Sequence, residues 1–408
     1  MGGWTRILAS TENRNVNRLV LLTRSLSSLA IASFLGIAYF AFQNKKAKRA
    51  LIDRVETDGQ FKASAFKLTN YKGYVVSEDS VMSGTLEKVS QMQVQNEDIF
   101  VASFPKTGTT WLQQVVYLLY NPDEPSEESQ VMEWKFPYLD HVYPGLNEIE
   151  NRLGNPRFIK THLPIGTQVA LYLHIARIQD SLNPTMEWKF PYLEHVYPGL
   201  NEIENRLGNR RFIKTHLPIE LLPSEISKAK VLFIHRNPKD VLVSYYYFAR
   251  MLSYVHYVGS LVDFAWLMMH NKLPYTPFFS HLNGYLKASI ENPKTYKVVS
   301  YEEMKANPQK VIEDIATFLD IQVTPEQLEA IAEATSFEAM KANPSTNYSH
   351  WDQYGLRVPN ESEFMRKGQV GDYKNHLDSQ MQTNIDDWIN LHCEAFPLVK
   401  SKYKESEE

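Results

Sequence analysis

The chain of 408 residues has almost no cysteine, since Cys393 is the single one. A disulfide framework is therefore impossible, and a cysteine-rich metal site is excluded. The chain also lacks a strong net charge, because 43 lysine and arginine residues are balanced by 47 aspartate and glutamate residues, which leaves a formal charge of −4. This balance argues against nucleic acid as a partner, so any site for an anion must be local. No metal is predicted.

Charged side chains are also missing from residues 25–42, a run of apolar and small residues. Its length is at the short end of the roughly 17–25 residues that cross a bilayer, and residues 19–42 reach further if a flanking arginine extends to the interface. The sequence predicts an N-terminal hydrophobic helix that makes residues 1–50 a membrane anchor. The Lys and Arg residues at 45–49 then favour a body on the cytoplasmic side. The alternative is a targeting segment on a soluble cytoplasmic or organelle-targeted protein, because the amino end is rich in Arg and Ser and holds Glu12 as its one acid.

Strands alternate with helices along the rest of the chain. Short apolar runs predict buried strands at 98–103, 230–235 and 296–300. Apolar spacing and capping residues predict helices from Thr109, from about Pro238 and over 325–334. This alternation predicts an α/β fold with a mostly parallel central sheet and helices on both faces. Residues 51–94 are polar and mixed, and are predicted to be a linker that leads into a domain at 95–404.

Two segments of the chain are nearly identical. Residues 132–165 and 186–219 differ by one Asp-to-Glu exchange and by Pro156, which is Arg210 in the second copy. A solenoid needs three or more repeats, so the pair indicates a recent tandem duplication, with the unrelated spacer 166–185 between the copies. A single sheet has room for one such segment. We therefore expect one copy to pack natively and the other to be displaced or poorly packed.

The turn at residues 104–111, FPKTGTTW, is a candidate anion site. Gly108 permits close approach of a ligand to the backbone, and the amide groups and dipole at the start of the helix attract negative charge. Lys106 adds a full positive charge, and the threonines add hydroxyl groups. The lysine precedes the glycine here, whereas it follows the second glycine in a Walker A loop, so Mg²⁺-dependent ATP chemistry is not implied. The alternative is an ordinary strand-to-helix turn.

Two further basic clusters accompany this turn. Arg236 follows a predicted strand, at the end where α/β sheets bind ligands, and Ser244 lies about two helical turns further on the same side. Guanidinium groups bind phosphate in a bidentate manner. Residues 366–368, Arg-Lys-Gly, form a basic loop. Each cluster alone is compatible with a solvated surface, but three of them on a near-neutral chain predict a ligand with several separated anionic groups.

Six motifs occur in order along the chain: FPKTGTTW, KTHLP, RNPKDVLVSYY, YEEM, TSFEAM and FMRKGQVGDYKN. In these motifs the sequence resembles the cytosolic-type sulfotransferases that use 3′-phosphoadenosine-5′-phosphosulfate (PAPS), including their insect members, over roughly residues 95–400. The resemblance implies a P-loop-like fold and PAPS as co-substrate, with 3′-phosphoadenosine-5′-phosphate (PAP) as product. A metal is not required, because a sulfuryl group carries less charge than a phosphoryl group and a lysine with helix amides can stabilise it.

The resemblance also implies a role for each cluster. The 5′-phosphosulfate would be held by Lys106, Thr107, Gly108, Thr109, Thr110 and Trp111, with Lys106 stabilising charge on the bridging oxygen. The 3′-phosphate would be bound by Arg236, Ser244, Arg366, Lys367 and Gly368. Trp111 and Phe337 would enclose the adenine. The further donor-binding residues would be Tyr301, Thr335, Phe364 and Met365.

A histidine of a KTHLP motif would act as general base for the acceptor hydroxyl, and the duplication provides two candidates, His162 and His216. A histidine suits this task because its ordinary pKa lies close to neutral pH. His216, which follows Lys214, is favoured because the chain continues from it directly to Arg236. His162 comes at the family's expected distance after the first helix, and it stays the alternative.

Many aromatic residues predict an apolar acceptor pocket, so the function implied is transfer of a sulfuryl group to the hydroxyl of a small lipophilic alcohol or phenol. Phenols, steroids and retinoid-like alcohols are all compatible with such a pocket. The alternative function is a catalytically impaired, nucleotide-binding relative, in which the duplicated segment blocks the acceptor side. A dimer is compatible with the resemblance, but the family's dimer motif is degraded after Lys374, with Thr383 at the place of its glutamate, so dimerisation by that route is not expected.

Overall fold

The computed structural model of the protein describes residues 53–57, 59–63, 66–122, 210–352 and 355–403. The chain divides into a unit that ends at Asp53 and a second unit, Arg54–Glu408, which contains all other described residues. The predicted N-terminal helix, the first copy with His162, the spacer and the second copy as far as residue 209 lie outside the described residues. Within the described ranges, no helix is long and apolar enough to cross a bilayer. The membrane anchor therefore stays a prediction.

Residues 66–94, part of the segment for which the sequence predicts a linker, pack within the second unit. They contain β1 (Leu68–Tyr71), β2 (Tyr74–Ser77), α1 (Glu78–Met82) and α2 (Thr85–Ser90). The two strands form a hairpin whose turn residues, Lys72 and Gly73, both have positive φ, at 51° and 88°, as tight hairpin turns require. Val75 is buried and exchanges backbone hydrogen bonds with residues 275–276. Residues 66–94 therefore contain packed secondary structure, because contacts with distant residues bury a hairpin that looks polar in the sequence.

A parallel sheet forms the centre of the second unit. Its strands are β3 (Ile99–Ser103), β4 (Phe212–Thr215), β5 (Lys230–His235) and β6 (Tyr296–Ser300). The order across the sheet is β4-β3-β5-β6, and Val101 of β3 pairs with Lys214 on one side and Leu232 on the other. The carboxyl ends of the strands therefore meet at one edge, where open α/β sheets bind their ligands.

Alternate side chains of the strands enter two separate cores, and helices cover both. The other α-helices in the described ranges are α3 (Thr109–Tyr120), α4 (Pro238–Met251), α5 (Leu261–Met269), α6 (Phe278–Glu291), α7 (Tyr301–Ala306), α8 (Pro308–Phe318), α9 (Pro325–Ala334), α10 (Phe337–Ala342), α11 (Pro344–Asn347), α12 (Ser379–Ala395) and α13 (Pro397–Tyr403). Phe100 and Phe233 join the core beneath α4, α5, α6 and α12. Val101 and Leu232 join the core beneath α3, α8 and α9. The predicted α/β fold with a parallel sheet and helices on both faces is confirmed.

Local sequence explains where the helices that carry the site begin. Asn237 caps α4, because its side chain accepts the backbone N–H of Lys239 at 2.9 Å, and Pro238 occupies the first turn. Gly108 precedes α3 with a φ of 107°. This conformation favours glycine and lets the chain turn sharply from β3 into the helix.

The strand β4 is fastened to β3 by a buried ion pair at the amino ends of the two strands. Arg211 Nε donates to Asp98 Oδ1 at 2.7 Å, and both side chains are almost fully buried. The guanidinium also donates to the carbonyl of Gln93 at 2.7 Å. A buried pair with additional hydrogen bonds of this kind is costly to break, because removal of one partner leaves an uncompensated charge.

The second copy of the duplicated segment supplies this strand. Arg210 donates to Glu97 Oε2 at 2.7 Å, and its guanidinium lies 4.3 Å from the centroid of the Tyr120 ring. The first copy has Pro156 at the equivalent position, and a proline side chain could make neither contact. One copy is therefore packed in the sheet as expected, whereas the first copy, 132–165, lies outside the described residues.

Candidate active site

The turn between β3 and α3 uses its hydroxyl groups to hold itself together. Thr107 Oγ1 lies within donating distance of the carbonyls of Phe104, at 2.9 Å, and Ile234, at 3.0 Å. Thr109 Oγ1 lies 2.6 Å from Ser103 Oγ. These hydroxyls are engaged within the fold, so the turn offers an anion mainly its backbone N–H groups and the dipole of α3.

Gly108 is required in this turn for reasons of space as well as conformation. A Cβ at this position would lie 2.8 Å from Tyr301 Cδ2 and 3.0 Å from Ile234 Cδ1. Trp111 packs edge-on against the ring of Tyr301, with the two centroids 5.4 Å apart. The turn after β3 therefore packs closely against Tyr301, the residue that follows β6.

Lys106, with a φ of 68°, directs its ammonium group between two aromatic rings. Its Nζ lies 3.9 Å from the centroid of Phe364 and 4.3 Å from that of Phe248, distances at which a ring face attracts a cation. Burial, together with three neighbouring cations, lowers the pKa of Lys106 to about 7. The cations are Lys214, Arg236 and Arg366. A bound anion would raise the pKa of Lys106, because an opposite charge favours the protonated form.

His216 follows β4 and lies beside the end of β3. Its Nδ1 is 2.8 Å from the carbonyl oxygen of Ser103 and 3.0 Å from Ser103 Oγ. A carbonyl oxygen can only accept, so Nδ1 carries the proton and donates it. In the neutral ring Nε2 then holds the lone pair and can accept a proton.

The helix α6 holds the chain at His216 from the opposite side. His281 Nε2 donates to the carbonyl of His216 at 2.9 Å, and the hydroxyl of Tyr285 donates to the carbonyl of Leu217 at 2.7 Å. Burial lowers the pKa of His281 to about 4, so its ring is neutral at physiological pH. The residue that could accept a proton is thus fixed through both its ring and its backbone.

Arg236 follows β5, and its side chain is 9% exposed. Its Nη2 donates to the carbonyl of Gln369 at 2.7 Å, and the guanidinium lies 4.2 Å from the centroid of the Tyr301 ring. Among the described residues its Nε has no hydrogen-bond partner. An unpaired buried donor is costly, so this guanidinium is suited to one more acceptor, such as a phosphate oxygen.

The basic loop at 366–368 is ordered by Asp372. Arg366 Nη2 donates to Asp372 Oδ2 at 2.6 Å, and Lys367 Nζ donates to Asp372 Oδ1 at 2.8 Å. Burial raises the pKa of Asp372, but hydrogen bonds from these cations and a neighbouring amide outweigh it and keep the pKa below its ordinary value. Gly368 has a φ of 61°, and a Cβ there would overlap the ring of Phe337. The loop therefore lies with its backbone against that ring.

The other predicted site residues have less specific surroundings. Ser244 lines one cavity together with Lys106, Phe248, Phe364 and Arg366. Thr335 is buried at the end of α9, and its hydroxyl donates to the carbonyl of Ile331 at 2.8 Å. Thr110 is buried in the first turn of α3, Lys214 lies in β4, and Met365 is half-buried in the basic loop. His162 lies outside the described residues.

Comparison with known proteins decides the family. The family model described as the sulfotransferase domain matches residues 96–405. The chain belongs to the sulfotransferase family. It is 31% identical over 306 residues to sulfotransferase 1B1 of Mus musculus, a match that covers 74% of this chain and 84% of that protein. It is 26% identical over 320 residues to the luciferin sulfotransferase of Photinus pyralis, covering 77% of this chain and 76% of that protein.

Solved structures share the fold of this sulfotransferase. A retinol dehydratase in complex with retinol and PAP matches with a TM-score of 0.61 at 24% identity, over 84% of this chain and 96% of that chain. A mouse sulfotransferase complexed with PAP matches with a TM-score of 0.55 at 22% identity, over 82% of this chain and 99% of that chain. As a member of its family the protein is a PAPS-dependent sulfotransferase, and PAPS is the co-substrate that supplies the sulfuryl group.

The residues of this sulfotransferase fit an anionic donor at the carboxyl edge of the sheet. Arg236 keeps a buried donor atom without a partner in the described part of the chain, and Lys106 lies near three other cations, Lys214, Arg236 and Arg366. In the same part of the chain, no cluster of three or more His, Cys, Asp or Glu residues could hold a metal ion.

Sequence reasoning missed three residues that organise this site. Asp240 and Asp372 lie inside the motifs RNPKD and GDYKN. An aspartate beside the cations of a predicted phosphate site could have been recognised from the sequence as a partner of those cations. His281 has no local signal, because its hydrogen bond to His216 joins residues 65 positions apart.

Proposed function

We propose that this sulfotransferase transfers the sulfuryl group of PAPS to the hydroxyl of a small lipophilic alcohol or phenol, with His216 as the general base. The observation that carries the proposal is the hydrogen bond from His216 Nδ1 to the carbonyl of Ser103, at 2.8 Å. It makes Nε2 the proton-accepting nitrogen. Ser103 also ends the strand that leads to Lys106, so the base and the lysine belong to neighbouring strand ends.

The two groups would act at opposite ends of one displacement. The acceptor oxygen forms a bond to sulfur while the bond from sulfur to the bridging oxygen breaks, and PAP leaves with the electron pair. His216 Nε2 takes the proton of the acceptor hydroxyl. Lys106 and the N–H groups at the start of α3 stabilise the negative charge that develops on the bridging oxygen.

The positions of the cations support the binding of the donor. Arg236, Ser244 and the loop at 366–368 would take the 3′-phosphate, since charge-assisted bonds from guanidinium to phosphate are strong. The unpartnered Nε of Arg236 within the described residues supports this assignment. Lys106, whose pKa is lowered to about 7, would regain its full charge beside the 5′-phosphosulfate.

Ring and hydroxyl groups on the other side of the turn support a site for the adenine. Trp111 and Phe337 would enclose the base, with Tyr301 at its edge. Thr335 already donates its hydroxyl proton to the carbonyl of Ile331, so its oxygen would serve the base as an acceptor, which suits the adenine amino group. Phe364 and Met365 would line the same site from the basic loop.

Aromatic rings near His216 support a lipophilic acceptor. The ring of Tyr275 packs edge-on to His216 with centroids 5.6 Å apart, and Phe104 and Phe278 form an aromatic pair in the core below. A fold relative, retinol dehydratase, was solved with androsterone and with retinol. Lipophilic alcohols of these two kinds are therefore the first acceptors to test, beside simple phenols.

The duplication provides a matched control for the general base. The substitution His216→Ala should lower transfer from radiolabelled PAPS by about 10²–10⁴-fold, the usual contribution of a positioned base. The substitution His162→Ala, in the same KTHLP motif of the first copy, should retain activity. PAP should stabilise both variants against heat as it does the wild type.

Three outcomes would contradict the proposal. An active His216→Ala variant would exclude His216 as the base, and an inactive His162→Ala variant would move the role to the first copy. If PAP stabilises the wild type but no phenol, sterol or retinoid alcohol accepts the sulfuryl group, the catalytically impaired alternative is favoured instead.

A further inference from the structure

We propose that Asp240 is a positioning residue that joins the two cationic parts of the 3′-phosphate site and thereby sets the preference for a nucleotide with a 3′-phosphate. The inference rests on the proposed donor site, in which Arg236 and the loop at 366–368 bind that phosphate. Asp240 acts through these groups and does not touch the nucleotide.

Asp240 lies in the first turn of α4 and is 2% exposed. An acid at this position ordinarily interacts with the helix dipole and the nearby N–H groups. Here Oδ2 accepts the backbone N–H of Gly371 at 2.7 Å, and Oδ1 accepts that of Tyr373 at 3.0 Å. Both carboxylate oxygens are thus committed to a loop more than a hundred residues away in the sequence.

Arg236 reaches the same loop from the end of β5. Its Nη2 lies 3.6 Å from Asp240 Oδ2 and donates to the carbonyl of Gln369 at 2.7 Å. The carboxylate therefore has the guanidinium on one side and the amides of Gly371 and Tyr373 on the other. A shift of either part would be transmitted to the other through this one side chain.

The loop that Asp240 fastens also orients the second set of cations. Asp372 lies between Gly371 and Tyr373, and it accepts hydrogen bonds from Arg366 and Lys367 at 2.6 and 2.8 Å. Release of the two flanking amides would therefore free the carboxylate that orients both cations. A guanidinium group must be held in a defined orientation for two of its N–H groups to bind one phosphate in a bidentate manner.

The substitution Asp240→Asn retains the shape of the side chain but replaces one acceptor oxygen with an NH₂ group and removes the charge beside Arg236. The NH₂ group cannot accept a backbone N–H, so one of the two loop contacts is lost. We expect weaker binding of PAP. Binding of AMP, which has no 3′-phosphate, should change little because AMP relies on the turn after β3.

The test is titration calorimetry of the full chain with PAP and with AMP. Asp240→Asn should lower the ratio of PAP affinity to AMP affinity by about tenfold, which corresponds to about 1.4 kcal/mol. The matched control is Asp386→Asn, which removes the charge from the partner of the neighbouring Lys239, bonded at 2.6 Å, and leaves Asp240 to hold the amides of Gly371 and Tyr373. This control should leave the ratio unchanged.

Arg236→Ala separates failure of the inference from failure of the donor site. If Arg236→Ala lowers the ratio and Asp240→Asn does not, the positioning role is refuted and the donor site stands. If Arg236→Ala leaves the ratio unchanged, the proposed donor site itself is refuted. Equal loss of PAP and AMP binding in Asp240→Asn would make Asp240 a merely structural residue and overturn the inference.

A second variant keeps the test decisive if Asp240→Asn does not fold. Asp240→Glu retains the charge but moves it by one methylene group, away from the distances that both amides require. A lower ratio of PAP to AMP affinity in Asp240→Glu supports the positioning role, and an unchanged ratio refutes it.

Discussion

The two halves of the active site are built from different kinds of interaction. On the side of β4, the hydrogen bonds described for His216 join neutral groups, the carbonyl of Ser103 and the ring of His281. On the side of β5, the bonds are charge-assisted, and two buried aspartates, Asp240 and Asp372, hold the cations and their loop. We refer to these as the base half and the donor half.

The difference follows from what each half has to do. A general base must have a free lone pair to accept a proton, and the hydrogen bond from Nδ1 to the carbonyl of Ser103 leaves that role to Nε2. In the proposed donor half, cations that bind phosphate would have to stay charged in buried surroundings, and carboxylate partners favour the charged form. Substitutions in the base half should therefore lower kcat, whereas substitutions in the donor half should mainly weaken the binding of PAPS and PAP.

After the loss of the base itself, the largest effect is expected where the two halves meet, at Lys106. Lys106→Ala removes the charge that stabilises the leaving oxygen, so kcat should fall by about 10²–10³-fold at saturating PAPS. Lys367→Ala is the matched control, because it removes a lysine of the donor half and should change the KM for PAPS far more than kcat. Steady-state kinetics with radiolabelled PAPS measure both values, and near-normal kcat in Lys106→Ala would contradict the proposed mechanism.

A smaller effect is expected from pH, again through Lys106. Its pKa is lowered from the ordinary 10.5 to about 7, so the lysine is charged below pH 7 and largely neutral above it when no donor is bound. Binding of anionic PAP then requires uptake of a proton above pH 7, and its affinity should fall by up to about tenfold per pH unit. Calorimetry between pH 7 and 9 measures this slope.

The variant Lys106→Ala should lose this pH dependence of PAP affinity, whereas a variant of the base half should retain it. The lowered pKa of Lys106 also makes the stability of the fold depend on pH, and this dependence is opposite in direction to that of the PAP affinity. Between about pH 7 and 10.5 the unfolded chain binds the proton that folded Lys106 has lost, so this group makes the wild type more stable as pH rises. A PAP affinity that does not depend on pH would refute the role of the buried lysine.

The smallest effect is expected from His281, which touches the base half from behind. His281→Leu removes the donor to the carbonyl of His216, and loss of about 1 kcal/mol of hydrogen bonding should lower kcat roughly fivefold. His281→Gln keeps an N–H donor and should recover most of the rate. The affinity for PAP should stay unchanged in both variants, and equal losses in kcat and PAP affinity would show that the two halves are not separable.

Much of the fold follows from short stretches of sequence. The predicted strands at 230–235 and 296–300 have the bounds of β5 and β6, and the predicted helix over 325–334 is α9. Apolar runs and capping residues act locally, so their effects are visible without the rest of the chain. The hairpin before residue 95 was missed because Val75 becomes buried only through its bonds with residues 275–276.

In the candidate site, too, some features follow from local sequence and others depend on contacts between distant residues. The kinds of group that it contains could be read from the motifs: a lysine before a glycine, an arginine at a strand end, and a histidine after Lys-Thr. The duplication left two histidines that are identical in their local sequence. No argument from neighbouring residues could choose between them with certainty, because the five residues of each KTHLP motif are the same.

Amino-acid patterns were thus sufficient for the family resemblance, the parallel sheet and the chemical groups of the proposed donor site. Tertiary structure decided that the strand leading to His216 pairs with β3, that Nδ1 of this histidine is the donor, and that Asp240 holds a distant loop. The physical reason is that burial and the direction of a hydrogen bond depend on which strand ends become neighbours. That information is a property of the assembled sheet and of no single segment.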